Sequence, residues 1–130
     1  MVGMAFIHPV LQIVHAQIIL YCYMNNLPYD ITRTIGKGIP GISTSTTHEE
    51  ARAIDFSVRG WTDKQRDNFV KEFNDRFKSI AAISAKSKVP VLAVDHKGTG
   101  WHIHIQIRRD IPTMSNEELN KLLRRVKWLN

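Results

Sequence analysis

The chain of 130 residues is poor in the residues that mark several protein classes: it has one cysteine, Cys22, five prolines and seven glycines. A single cysteine excludes an internal disulfide and any cysteine-rich zinc finger. The composition also excludes collagen-like, coiled-coil and disordered chains, and no repeat or linker divides the sequence. With 43% hydrophobic residues, the sequence predicts a single globular domain over residues 1–130.

A long hydrophobic run is also missing. The only extended apolar stretch, residues 9–24, is interrupted by Gln12, His15 and Gln17. It is shorter and more polar than the ~20 apolar residues that a membrane span requires. Neither the basic start nor the cleavage site of a secretory signal is present, so we expect a buried helix, no membrane contact and a cytoplasmic product as synthesised.

Positive charge is in excess, with 18 Lys and Arg against 12 Asp and Glu, a net charge of +6 and six histidines. The simplest inference from this excess is a nucleic-acid binder. Four of the cations, however, fall on the outward face of the predicted last helix, where they complement the helix dipole: Lys121, Arg124, Arg125 and Lys127. We therefore expect no nucleic-acid partner.

Local patterns predict alternating helices and strands. Helices are expected from Pro9, from the capping box at Thr62–Gln65 and from the one at Ser115–Glu118. Strands are expected at residues 29–35, 52–58, 89–94 and 101–107, with a turn at residues 96–100 joining the last two. The predicted fold class is α+β, a small and mostly antiparallel sheet with three helices on one side and a metal groove on the other.

Two of these strands alternate sharply. In one, Ile54, Phe56 and Val58 share a face, which places Asp55 on the opposite face. In the other, the expected core set is Trp101, Ile103, Ile105 and Ile107. Its opposite face carries His102, His104 and Gln106. If the strands are neighbours, Asp55 and the two histidines meet on one polar face.

These residues form two candidate metal-binding pieces, His48-x6-Asp55 and His102-x-His104. Imidazole nitrogen and carboxylate oxygen both suit Zn2+. A catalytic zinc site uses about three protein ligands and leaves one position for water. The two pieces together supply enough donors for such a site.

The segment from Thr46 to Asp55, TTHEEARAID, resembles the Ser-x-His-x-x-Gly-x-Ala-x-Asp signature of the zinc D-Ala-D-Ala carboxypeptidase and dipeptidase family. The segment from Trp101 to Gln106, WHIHIQ, resembles the closing His-x-His strand of the same family. The likeness extends from about His8 to Ile107 and is greatest to short peptidase-like proteins of phages and prophages. It implies the fold shared with lysostaphin-type enzymes and hedgehog domains.

The resemblance also implies roles for individual residues. His48, Asp55 and His104 would bind Zn2+, and His102 would stabilise the oxyanion or move protons. Arg33 would hold a substrate carboxylate or the developing negative charge. Thr46 stands at the family's serine position and, with Trp101, is assigned to substrate binding.

The chain departs from the family at the catalytic glutamate, whose position three residues before the last ligand is occupied by Trp101. The general base is therefore His102, or His96 or Asp95 from the adjacent turn, unless the protein does not hydrolyse its ligand. A histidine base with an ordinary pKa of ~6.5 is adequate at neutral pH.

The resulting expectation is a zinc-dependent peptidase that cuts peptidoglycan stem or cross-link peptides, as an endolysin or another phage-associated cell-wall hydrolase. Access to the wall would come through phage lysis or delivery by a virion. One alternative is a non-catalytic phage structural protein that binds zinc. A second is a single-strand DNA nicking enzyme, which would need Tyr21 or Tyr23 as nucleophile, although both fall on the apolar helix.

Overall fold

The computed structural model of the protein describes residues 8–33, 52–84, 86–96 and 101–129. Three α-helices are present in this part of the chain, α1 at Pro9–Met24, α2 at Asp63–Arg76 and α3 at Asn116–Leu123, with a 3-10 helix at Ile111–Thr113. The strands are β1 at Asp30–Arg33, β2 at Ala53–Ser57, β3 at Ala82–Ile83, β4 at Pro90–Val91, β5 at Ala93–Asp95 and β6 at His102–Gln106.

The main sheet has four strands in the order β1-β2-β6-β5, and every neighbouring pair is antiparallel. The short strands β3 and β4 form a separate two-stranded sheet. The predicted α+β class, with three helices and a small antiparallel sheet, is therefore confirmed. Within the described residues, no helix has the length and apolar character needed to cross a membrane.

The core lies between the helices and one face of the main sheet. Ile54 and Phe56 of β2, together with Ile103 and Ile105 of β6, are fully buried. They belong to one cluster with apolar side chains of α1 and α2, and leucines of α3 pack against it. The predicted faces of β2 and β6 are thus confirmed at these positions, and the strands present their polar side chains on the other face.

The helices begin where the sequence predicts. Pro9 opens α1, and the His8 side chain accepts a hydrogen bond from the amide of Val10. The capping box of α2 is complete, because Thr62 and Gln65 each bind the backbone amide of the other. Each of these contacts satisfies an amide that the first helical turn leaves without an intrahelical partner.

The last helix also begins at its predicted cap, since Ser115 Oγ accepts a hydrogen bond from the amide of Glu118. The four cations expected on its outward face are all exposed, but only Lys121 lies within α3, and Arg124, Arg125 and Lys127 follow its last residue. α3 ends at Leu123, so Val126 packs into the core from the segment after the helix.

The predicted strand over residues 89–94 is wrong as a single element, since β4 and β5 belong to different sheets. The break is at Leu92. Asn74 of α2 accepts hydrogen bonds from the amides of Leu92 and Ala93 at 2.8 and 2.7 Å. These bonds and the burial of the Leu92 side chain tie the chain to α2 between the two strands.

Trp101, predicted in the core, and two apolar side chains of the helix predicted to be buried are at the surface instead. Trp101 is 55% exposed, because it precedes β6 and lies against Arg66 rather than under the sheet. On α1, Ile13 is 41% and Tyr23 82% exposed, whereas Tyr21 is buried as predicted. The apolar residues of α1 surround the whole helix, and only one side of it can face the core.

Candidate functional site

Asp55 and His104 are direct cross-strand partners in the β2–β6 ladder. Side chains at directly paired positions of an antiparallel sheet lie on the same face. The Asp55 carboxylate Oδ1 is 2.7 Å from His104 Nδ1, and both residues are buried. Two of the three residues predicted to bind zinc are therefore in contact.

The other ring nitrogen of His104 also has a partner, since Nε2 lies 3.1 Å from Oε1 of Gln106, two residues further along β6. A neutral imidazole carries one N–H and donates from only one nitrogen. If Nε2 donates to Gln106, Nδ1 directs its lone pair toward the Asp55 carboxylate. An imidazole nitrogen and a carboxylate oxygen on one face of the sheet are donors that Zn2+ accepts, so Asp55 and His104 fit as metal ligands.

His96 and His102 complete a group of three imidazoles at this end of the sheet. The ring centroids of His96 lie 5.2 Å from His102 and 5.7 Å from His104. The His96 amide donates to the carbonyl of His102 across the ends of β5 and β6, at 3.4 Å. The two histidines predicted to act in catalysis are therefore side by side and next to the Asp55–His104 pair.

The environment of His96 favours the neutral imidazole. Burial lowers the pKa of His96 below its ordinary value of 6.5, and the neighbouring His104 and His102 lower it further, whereas Asp55 and Asp95 act in the opposite direction. A neutral imidazole near pH 7 can accept a proton, which is the property that a general base needs.

The remaining predicted site residues are placed only in part. The backbone of Arg33 is paired with Asp55 across β1 and β2, where the register is irregular. Arg33, Asp55, His104 and Val94 therefore form one row across the four strands. Thr46 and His48 lie outside the described residues. Among the residues that the structure does describe, no group of three or more His, Cys, Asp or Glu side chains is arranged to hold a metal ion.

Asp95, the third candidate for the general base, is engaged elsewhere. Its Oδ2 accepts a hydrogen bond of 3.1 Å from Nε of Arg66, and both side chains are largely buried. Since this carboxylate is committed to an ion pair, His102 and His96 are the better candidates to move protons.

Arg66 is a residue near the site that the sequence reasoning missed. It lies three residues before Phe69, on the face of α2 that enters the core, and is 6% exposed. The sequence did contain a signal for this residue, since Arg66 falls on the same helix face as Phe69 and Phe73. A basic side chain on a buried face requires a partner for its charge, so an ion pair could have been expected there.

The two tyrosines that a nicking enzyme would need do not lie beside the histidines. Tyr21 packs edge-on against Phe69 and Phe73 in the core, on the opposite side of the sheet from His104. Burial, together with Glu72, raises the pKa of Tyr21 above its ordinary value of 10.0. Tyr23 is exposed at the surface of α1.

Comparison with protein-family models, curated proteins and solved structures found no match for this chain.

Proposed function

We propose that this protein is a zinc-dependent peptidase of the D-Ala-D-Ala carboxypeptidase and dipeptidase type, with the corresponding hedgehog-like fold, and that it hydrolyses peptidoglycan peptides. The observation that carries the proposal is the contact between Asp55 and His104, at 2.7 Å on the polar face of the sheet. The sequence resemblance assigns both residues to the metal, and they come from strands 49 positions apart in the chain.

Asp55 and His104 would hold the zinc ion together with His48. Zinc, when bound, polarises a peptide carbonyl and lowers the pKa of a water molecule toward ~7. Gln106, whose Oε1 lies 3.1 Å from Nε2, would orient His104. A hydrogen-bond partner that does not itself bind the metal fixes the tautomer of a ligating histidine.

His102 and His96 are assigned to proton transfer. In this proposal one of them accepts the proton of the attacking water on a ring nitrogen and delivers it to the departing amine. Their rings, 5.2 Å apart at the end of the β5–β6 pair where the chain connects the two strands, are close enough to share that task. The lowered pKa of His96 keeps its base form populated at neutral pH.

Substrate contacts are assigned to three residues. Arg33, paired through its backbone with Asp55, would neutralise negative charge on the substrate carboxylate or on the carbonyl oxygen under attack. Trp101, 55% exposed directly before His102, would contact the substrate, as would Thr46. The net charge of +6 favours encounter with an anionic cell wall, which the enzyme would reach after phage lysis or as part of a virion.

The test combines metal analysis with a digest. Wild-type protein should hold about one zinc ion per chain, and His104→Ala or Asp55→Ala should lose it. Purified peptidoglycan treated with wild type should gain new amine termini, and His102→Ala should release far fewer while it keeps its zinc.

The alternatives predict different results. Zinc without new amine termini would contradict the peptidase and favour the non-catalytic metal-binding alternative. Full zinc occupancy in both ligand variants would overturn the assignment of the ligands. Cleavage of single-stranded DNA that is lost in Tyr21→Phe or Tyr23→Phe would favour the nicking enzyme.

A further inference from the structure

Arg66 connects α2 to both sides of the β5–β6 hairpin that carries the histidines. Its Nε donates to Asp95, the last residue of β5, at 3.1 Å. Its guanidinium carbon lies 5.1 Å from the centre of the Trp101 ring, directly before β6. One buried side chain thus contacts the residue that ends one strand and the residue that precedes the other.

The guanidinium is itself held from the α2 side. Nη1 donates to the carbonyl of Trp61 at 3.2 Å, and Nη2 pairs with Asp63. Trp61 is buried, and its own indole N–H donates to the carbonyl of Pro28 at 2.8 Å. Arg66 is therefore fixed to the core before it reaches the hairpin.

The hairpin ends next to the histidines. Asp95 directly precedes His96 and is the register partner of Ile103. Trp101 directly precedes His102, and its carbonyl accepts from the amide of Val58 at 2.8 Å. A shift at either Asp95 or Trp101 therefore moves one of the two histidine rings that lie 5.2 Å apart.

We propose that Arg66 is a positioning residue, which keeps His96 beside His102 and holds the indole of Trp101 as an exposed platform for the side chain or sugar of a bound wall fragment. The part that concerns the substrate rests on the proposed peptidase function. The part that concerns the hairpin rests only on the contacts of Arg66. The guanidinium covers one face of the indole, and a 55% exposed residue leaves indole surface for a ligand.

Lysine cannot replace arginine in this arrangement. The planar guanidinium donates in three directions at once, to Asp95, Trp61 and Asp63, while its central carbon lies over the indole ring. An ammonium group keeps the charge but has neither the fork nor the flat face. Arg66→Lys therefore removes the geometry and retains the charge, and it is milder than Arg66→Met, which leaves Asp95 buried without its partner.

Arg76 offers a matched control on the same helix. It forms an ion pair with Glu72 at 3.1 Å and donates to the carbonyl of Lys127 at 2.9 Å, and these partners are not part of the hairpin. Arg76→Lys makes the same chemical change in a more exposed ion pair of α2 and should leave the hairpin unaltered.

The first readout is hydrogen exchange followed by NMR, which requires neither zinc nor substrate. In Arg66→Lys we expect the amide of His96, which donates across the hairpin to the carbonyl of His102, to exchange at least about tenfold faster, and the Trp101 indole resonance to move, while amides of α1 remain unchanged. Arg76→Lys should leave all of these as in wild type. Wild-type exchange at His96 in Arg66→Lys, or equal acceleration in Arg76→Lys, would overturn the positioning role.

The second readout separates binding from folding. In Arg66→Lys we expect KM for a soluble peptidoglycan fragment to rise about tenfold, and Trp101→Ala should do the same, while zinc affinity stays within about twofold. Zinc affinity that falls in step with activity would indicate a structural role only. If wild type binds no zinc and releases no amines, the proposed function is wrong, and hydrogen exchange alone decides whether Arg66 fixes the hairpin.

Discussion

Asp55 and His104 face each other across the two central strands of the sheet, with the carboxylate 2.7 Å from the imidazole Nδ1. This contact depends on the register of β2 and β6, since a slip of one residue would turn one of the two side chains to the other face. The buried residues on the reverse of the same strands, Ile54, Phe56, Ile103 and Ile105, oppose such a slip. The packing of the core thus holds the candidate site together.

Gln106→Ala should weaken zinc binding without removing it. Gln106 lies 3.1 Å from His104 Nε2 and would orient the ring, and loss of such an outer partner lowers metal affinity by about 10- to 100-fold. Isothermal titration with Zn2+ measures the change. Ser57→Ala is the control, because Ser57 is paired with His102 rather than His104 and should leave the affinity within about twofold. Equal affinities of Gln106→Ala and wild type would contradict the orienting role.

Alternation in the sequence was enough to predict the faces of β2 and β6. Every second side chain of a strand lies on the same face, and the apolar set faces the core. It was also enough to propose that Asp55 and His104 meet if the strands are neighbours. It could not supply the pairing itself, since the two strands are separated by α2 and by β3 to β5 along the chain.

The sequence predictions that the structure contradicts also have physical causes. Trp101 continues the alternation of Ile103 and Ile105, but the strand begins only at His102, so the pattern extends one residue too far. The break at Leu92 depends on Asn74, whose side chain comes from a different element. Arg66 was missed because the partner of its charge, Asp95, is 29 residues away.

Phe69→Ala should be among the most destabilising single changes in the core. Phe69 is fully buried and stacks on Phe73 at 4.2 Å, with Tyr21, Phe56 and Trp61 also in ring contact: their centroids are 5.2, 5.3 and 5.7 Å away. Removal of the ring should cost about 3–5 kcal/mol of the free energy of unfolding. Urea titration followed by circular dichroism measures it, and Lys71→Ala, at an exposed position of the same helix, should change it by less than about 0.5 kcal/mol.

Cys22 should resist alkylation in the folded protein. It is buried on α1, and burial raises the pKa of its thiol to about 12. At about pH 8 only about one thiol in ten thousand would then be the reactive thiolate, even where reagent could reach it. Folded protein treated with a thiol reagent should show almost no reaction, and denatured protein should react completely. Lys71→Cys adds an exposed thiol as the control and should react at once; rapid labelling of Cys22 in folded wild type would show that α1 opens readily.

His15 should make the protein less stable in mild acid. Its ring packs against Tyr29 with centroids 5.3 Å apart, and burial lowers the pKa of His15 below the ordinary 6.5. As the pH falls through about 6.5, the unfolded chain takes up a proton at this position more readily than the folded protein, so the free energy of unfolding decreases. His15→Phe keeps a ring against Tyr29 and removes the titrating group. Its melting temperature should therefore fall less than that of wild type between about pH 7.5 and about pH 5.5, because only wild type carries this proton linkage.

Burial lowers the pKa of His8 and His96 too, so some pH dependence should persist in the variant. Identical pH profiles for the two proteins would show that His15 titrates alike in both states.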